Sequence, residues 1–208
     1  GGVGFTCGVE WLATEKILVH GSTGLAWNNS QNLVPELAQL NQLLHEHPCF
    51  FDGAKLTRLS GSESPVYVLL RESAEGKDAV LVLVNNDIED EQVLTISSGD
   101  GRLPIGDCRF DLLGQPLPEV KAGSRGDPQI KLAPGAAFCL SPTAQPLGLS
   151  GDAYRTARAQ AAWAVQALTE NFEINQLGAF DWRKLAEIVR RSPFHFLAAI
   201  RQLDAKLA

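Results

Sequence analysis

Six consecutive apolar residues, Ala79-Val80-Leu81-Val82-Leu83-Val84, constrain this chain more than any other stretch. The run is far too short to cross a membrane and is rich in β-branched side chains. It reads as a strand buried on both faces, at the centre of a sheet. The runs around it are short and β-rich: Lys55–Leu59, Val66–Leu70, Gln92–Ile96, Arg109–Leu112, Gln129–Leu132 and Ala136–Leu140. Turn residues separate them, at Gly61-Ser62, Glu75-Gly76-Lys77-Asp78, Asn85-Asn86-Asp87, Gly99-Asp100-Gly101 and Pro134-Gly135. Short strands spaced in this way predict an antiparallel β-sandwich of about seven strands.

The flanks follow other rules. The opening, Gly1-Gly2-Val3-Gly4-Phe5-Thr6-Cys7-Gly8-Val9-Glu10, is Gly-rich and apolar. It suits a strand of a parallel barrel that emerges into a loop, and such a strand needs partners on both sides. With no Met in the chain, this opening leads us to expect a piece of a longer protein. Residues 12–31 carry turn chemistry. From Asn32 to about Glu46 the period is helical, through Leu33, Leu37, Leu40, Asn41 and Leu44, with Ser30 or Asn32 as N-cap and Pro48 as the stop. After a linker, the tail is helical again. Tyr154, Ala157, Ala161, Val165, Leu168 and Phe172 form one stripe, Asp181 caps a second helix, and Ser192-Pro193 opens a third. The expected fold class is mixed, mainly β: a barrel-type strand and helix over 1–48, the sandwich over 49–143, and a linker with about three helices over 144–208.

Composition removes several functions. A net charge of −6 argues against a nucleic-acid partner, which needs clustered Lys and Arg. No apolar run is long enough for a membrane helix. Cys7, Cys49, Cys108 and Cys139 are scattered with no Cys-x-x-Cys pair, which argues against zinc and fits free thiols in a reducing cytoplasm, with a disulfide left open because spacing gives no distances. His45 and His47 diverge by about 200° on a helix and do not share a metal. The acidic run Asp87, Glu89, Asp90, Glu91 lacks the spacing of a calcium loop and reads as a solvated turn. No metal and no cofactor is expected.

Taken in order, these segments resemble the C-terminal part of an α-amylase-family glycoside hydrolase, roughly over residues 1–142. Gly8-Val9-Glu10 looks like the Gly-x-Glu that ends the family's eighth barrel strand. Leu40-Asn41-Gln42-Leu43-Leu44-His45-Glu46-His47-Pro48 resembles its eighth helix, where L-x-x-L-R-x-x-H-P recurs, although here Asn41–Leu44 holds no Arg. Val66–Arg71 and Ala79–Asn85 look like the first sandwich strands. Phe110-Asp111-Leu112-Leu113-Gly114 resembles a D-L-L-x-G segment, and Ile130–Gly135 with Ala136 and Phe138 resembles the closing strand pair.

The resemblance implies a retaining enzyme acting on α-glucans such as starch or glycogen, as a hydrolase or glucanotransferase. Its catalytic carboxylates would lie after earlier barrel strands. No catalytic residue is therefore carried onto this sequence, and the chain alone is expected to be inactive. Four residues on or beside the loop after the barrel strand are candidates for substrate contact. Glu10 is either a subsite carboxylate or a structural one that holds the loop. His20 lies on that loop. Trp11 and Trp27 either stack on sugar rings or fill the seam between barrel and sandwich. The expected partners are an α-glucan or malto-oligosaccharide and the remainder of the parent barrel, with a dimer open because a lone apolar strand gains from pairing. Two other roles stay open: a stand-alone glucan-binding module, and a structural domain whose exposed Trp163, Phe172 and Trp182 dock a partner.

Overall fold

The computed structural model describes residues 8–14, 27–95, 105–123 and 127–207. They divide into two compact units, residues 1–148 and 149–208.

In the first unit, α1 (Val34–Glu46) precedes eight strands: β1 (Lys55–Arg58), β2 (Val66–Glu72), β3 (Ala79–Asn85), β4 (Gln92–Thr95), β5 (Phe110–Asp111), β6 (Val120–Ala122), β7 (Pro128–Leu132) and β8 (Ala137–Ser141). All pairings are antiparallel. One sheet has the order β1-β2-β3-β8-β5 and the other β4-β7-β6. The apolar run is thus the middle strand of the larger sheet. β6 is the strand that patterning misses, because Val120, Lys121 and Ala122 are all exposed and carry no inside-outside alternation. The barrel-type strand expected at the start lies outside the described residues up to Cys7; Val9–Trp11 is a 3-10 turn.

The period-2 rule assigns the faces of β3. Leu81 and Leu83 point to the smaller sheet, where they join Val66, Val68, Leu140, Ile130 and Leu132 in the main core. Val80 and Val82 point the other way and pack with Cys139, Cys49, Phe50 and Leu43 of α1. The register agrees, since Leu81 faces Leu70 and Leu140 while Val82 faces Leu69 and Cys139. The result is three layers: small sheet, large sheet, then α1 with the turn that follows it.

α1 buries the middle of the stripe expected of it and leaves the ends open. Val34, Leu37, Leu40 and Leu43 are half-buried, whereas Leu33 is 37% and Leu44 42% exposed. At about 100° per residue Leu33 and Leu44 fall on the same face as Leu37 and Leu40, and Leu43, at the edge of that face, is the residue that packs on the sheet. The N-cap position is Leu33, not Ser30 or Asn32; Asn32 stands one residue before it, and its Oδ1 accepts from the Val34 N–H at 3.1 Å. Pro48 ends the helix: His47 is already extended, and Pro48–Phe50 forms a 3-10 turn.

Two polar side chains tie the sandwich. The Asn85 amide, 1% exposed, donates to the carbonyls of Asp90, Leu132 and Ala133, and its Oδ1 accepts from the Asp87 N–H. It thereby joins β3 to the end of β7. The Asp111 carboxylate accepts from the N–H groups of Cys139, Leu113 and Gln115. A third carboxylate, Asp78, receives Leu147 and Gly148 N–H groups at 2.7 Å each and fixes the end of this unit. A Cβ at Gly148 would stand 2.7 Å from Asp78 Oδ2.

The second unit holds α2 (Gly151–Thr169), α3 (Trp182–Arg191) and α4 (Pro193–Leu207). Asp181 Oδ1 caps α3 through the Arg183 N–H at 3.0 Å, and Ser192 Oγ accepts from the His195 N–H at the start of α4. On α2 the buried residues are Ala161, Ala164 and Ala167. The stripe therefore runs along small side chains, not through Val165 and Tyr154, which are half-exposed. Ala164 is fully buried and packs with Val189, Phe196 and Ile200. Among the described residues no helix is long and apolar enough to cross a membrane.

Replacing Asn85 by Ala strands buried carbonyls and should cost about 2–4 kcal/mol in chemical denaturation; Ile88→Ala, at a side chain 81% exposed, should stay within about 0.5 kcal/mol. Ala164→Leu should overpack the helical unit by about 1–3 kcal/mol, read as earlier loss of its helical circular dichroism on heating.

Candidate functional site

Glu10, Trp11 and Trp27 are brought together; His20 lies outside the described residues. The first three owe their placement to a tight turn. Gly8 takes φ 101°, open to glycine, and Leu12 is left-handed at φ 53°. Between them the chain closes by N–H bonds from Trp11 and Ala13 to the Gly8 carbonyl, both 3.1 Å. The Glu10 carboxylate reaches back to the Gly8 N–H at 2.9 Å, and the Glu10 carbonyl accepts from the Leu33 N–H at 2.7 Å. Glu10 thus holds the turn in shape with one oxygen.

Asparagines carry the turn to α1. Asn29 donates to the Trp11 carbonyl at 3.3 Å, and Asn32 donates to the Asn29 carbonyl at 2.8 Å. Asn28, at φ 62°, supplies the left-handed step that turns the chain after Trp27. The two indoles then meet edge to face, centroids 6.5 Å apart and planes at 73°. Trp11 is half-buried and Trp27 is 49% exposed. One rigid indole presented by another offers an apolar face to a flat, C–H-rich surface such as a sugar ring.

At the other end of α1 the chemistry is buried. His47 is 4% exposed, and its Nδ1 accepts from the Cys49 N–H at 3.3 Å. That bond places the proton of the neutral ring on Nε2, which has no partner among the described residues. Burial holds the imidazole below its ordinary pKa, with the Asp78 charge opposing part of the shift. Arg71 of β2 donates to the Cys49 carbonyl at 2.8 Å and lies 4.7 Å over the Phe50 ring, clamping the turn to the sheet. Burial pushes the thiols of Cys49 and Cys139 up to about 12 and that of Cys108 to about 11, so none is a nucleophile at neutral pH. Cys7 lies outside the described residues.

Glu46 and His47 also wall a cleft of about 220 Å³ with Gln39, Gln42 and Gln145. Sequence patterning does not reach it, because its walls come from residues 39–47, 112 and 144–146. No group of three or more His, Cys, Asp or Glu able to hold a metal occurs among the described residues. The acidic turn is organised by itself: Asp87 Oδ1 accepts from the Glu89 and Asp90 N–H groups at 3.0 Å each, which lowers its pKa.

Comparison with known protein families finds no match, and none of the curated proteins matches. Among solved structures the chain is similar to one described as the crystal structure of AmyP in complex with maltose. The identity is 23% and the TM-score 0.33, over 49% of this chain. The match spans 18% of that chain.

The His47 ring is held neutral when folded but takes a proton at its ordinary pKa of 6.5 when unfolded. The unfolded chain therefore binds more protons as pH falls through that range, and stability drops with it. The melting temperature should fall between pH 7.5 and pH 5 in the native chain. His47→Asn, which keeps an acceptor for the Cys49 N–H, should flatten that part of the profile.

Proposed function

We propose that this chain is the C-terminal part of an α-glucan-active glycoside hydrolase or glucanotransferase. The sandwich acts as its accessory, stabilising domain, and the catalytic carboxylates lie upstream. In this reading residues 1–48 end the barrel, residues 49–143 form the accessory sandwich, and residues 144–208 are a linker and helical tail. The observation that carries it is where apolar surface is left open. The core between the two sheets is closed, with Leu83, Ile130 and Leu132 at 0% exposure. The segment before it is not: Val9, Leu12, Trp27, Leu33 and Leu44 are all 37–49% exposed, and α1 has no fully buried residue. A helix whose apolar face leaves Leu33 and Leu44 open at its two ends suits the outer layer of a larger barrel. The residues that carry the family resemblance act as scaffold here, since Asn85, Asp111 and the His47-Pro48 turn spend their polar groups on backbone.

A second reading, a glucan-binding module, is favoured by the exposed Trp27 on its Trp11 support. Strand aromatics add little to it. Tyr67 is half-buried under Arg58, Phe138 packs on the core, and Phe110, 44% exposed, is the one that departs from core packing. A docking role for the tail has less support. Trp163 leans on Phe196 with centroids 5.9 Å apart, Phe172 packs on the helical core, and Trp182 lies under Arg158 and Arg183.

The purified chain should release no reducing sugar from starch or glycogen, and turnover by it would overturn the accessory role. Calorimetric titration with maltoheptaose separates the two readings. Saturable heat that disappears in Trp27→Ala establishes the binding module; no heat from the folded protein, or heat that Trp27→Ala leaves intact, supports the scaffold.

A further inference from the structure

The cleft on the side of α1 has the chemistry of a site. Gln39, Gln42 and Glu46 recur at steps of three and four, so they share one side of the helix. Gln145 approaches from the segment after β8, and Leu43, Leu112 and Pro146 supply apolar wall between the amides. The polar groups are held in advance. Gln42 Nε2 lies 3.4 Å from both oxygens of Glu46. Gln39 donates to the Leu112 carbonyl at 3.5 Å and lies against Gly114, where a Cβ would come within 2.8 Å of its Nε2. Gly114, at φ 78°, therefore serves both the turn and the seat of Gln39.

The charge balance selects the class of occupant. Glu46 carries the one charge on the lining, because burial keeps His47 neutral. A lone carboxylate disfavours anions, and three amides beside it can both donate and accept. Amides alternating with apolar side chains complement a molecule with hydroxyls on its edge and C–H groups on its face.

We propose that this cleft binds a small neutral polyhydroxylated ligand, one or two sugar units in size, through Gln39, Gln42, Gln145 and Glu46. The site follows from the cleft itself; the choice of an α-glucoside as its occupant rests on the role proposed above. Maltose and cellobiose, titrated separately into the ¹⁵N-labelled full chain, test it. Maltose should shift the side-chain amide signals of Gln39, Gln42 and Gln145 saturably. The exposed double substitution Gln42→Ala/Glu46→Ala should weaken that binding by about tenfold or more, as loss of one or two hydrogen bonds to a ligand would. Ile88→Ala, exposed and outside the cleft lining, should leave it unchanged. The same shifts with cellobiose and none with maltose would support the site and overturn the α-glucoside as its occupant. Saturable shifts confined to Trp11 and Trp27, or no shifts with either sugar, would overturn the site, while leaving the accessory role to the starch and glycogen assay.

Discussion

Strand β3 has apolar side chains on both faces, and everything in the first unit answers to that. Leu81 and Leu83 need one cover, Val80 and Val82 another. The small sheet supplies the first. The second, among the described residues, is α1 with the Pro48–Phe50 turn. That layer is thin, so its attachment matters more than its area. Arg71 reaches out of β2 to the Cys49 carbonyl and the Phe50 ring, and Leu43 inserts beside them. The end of the helix is thereby fastened to the sheet, and both the indole turn at its start and the amide cleft on its flank inherit their positions from it.

Buried polar groups do the rest of the positioning. Each sheet ends where a strand must turn, and a turn leaves carbonyls and N–H groups without ladder partners. Asn85 and Asp111 collect those groups at two corners, one as donor, one as acceptor. An apolar residue at either place would pack well and leave the backbone unsatisfied, which is the costlier failure. Asn85 and Asp111 are thus explained by backbone accounting alone.

How much was legible in the sequence depended on whether a residue's partner was local. The apolar run Ala79–Val84, the cap at Asp181 and the Ser192-Pro193 start speak through their immediate neighbours, and they were readable. β6 was not, since an edge strand exposed throughout carries no alternation. On α2 the expected stripe holds Ala161, Leu168 and Phe172 but also runs through Tyr154 and Val165, whereas close helix packing buries the small residues Ala161, Ala164 and Ala167. The chemistry of Glu10, Trp11 and Trp27 marks them in the sequence, but the bond from the Gly8 N–H to Glu10 and the edge-to-face setting of the indoles arise only in the fold. The cleft was invisible because its walls lie up to about a hundred residues apart in the chain, and no local pattern encodes such a meeting.

The helix α1 also decides whether its proposed roles compete. At about 100° per residue, Gln39, Gln42 and Glu46 lie to one side of Leu43, and Leu33 and Leu44 to the other. The two sets stand roughly 120° or more apart around the axis. A barrel wall seated on the exposed leucines would therefore leave the amide side open. The indole turn sits at the first end of the helix and the His47 clamp at the last, so neither blocks the cleft along its length. One helix can cover a sheet with Leu43, meet a neighbouring layer with Leu33 and Leu44, and keep a polar flank in solvent. That division is open to a helix and closed to a strand, whose side chains have only two faces to share.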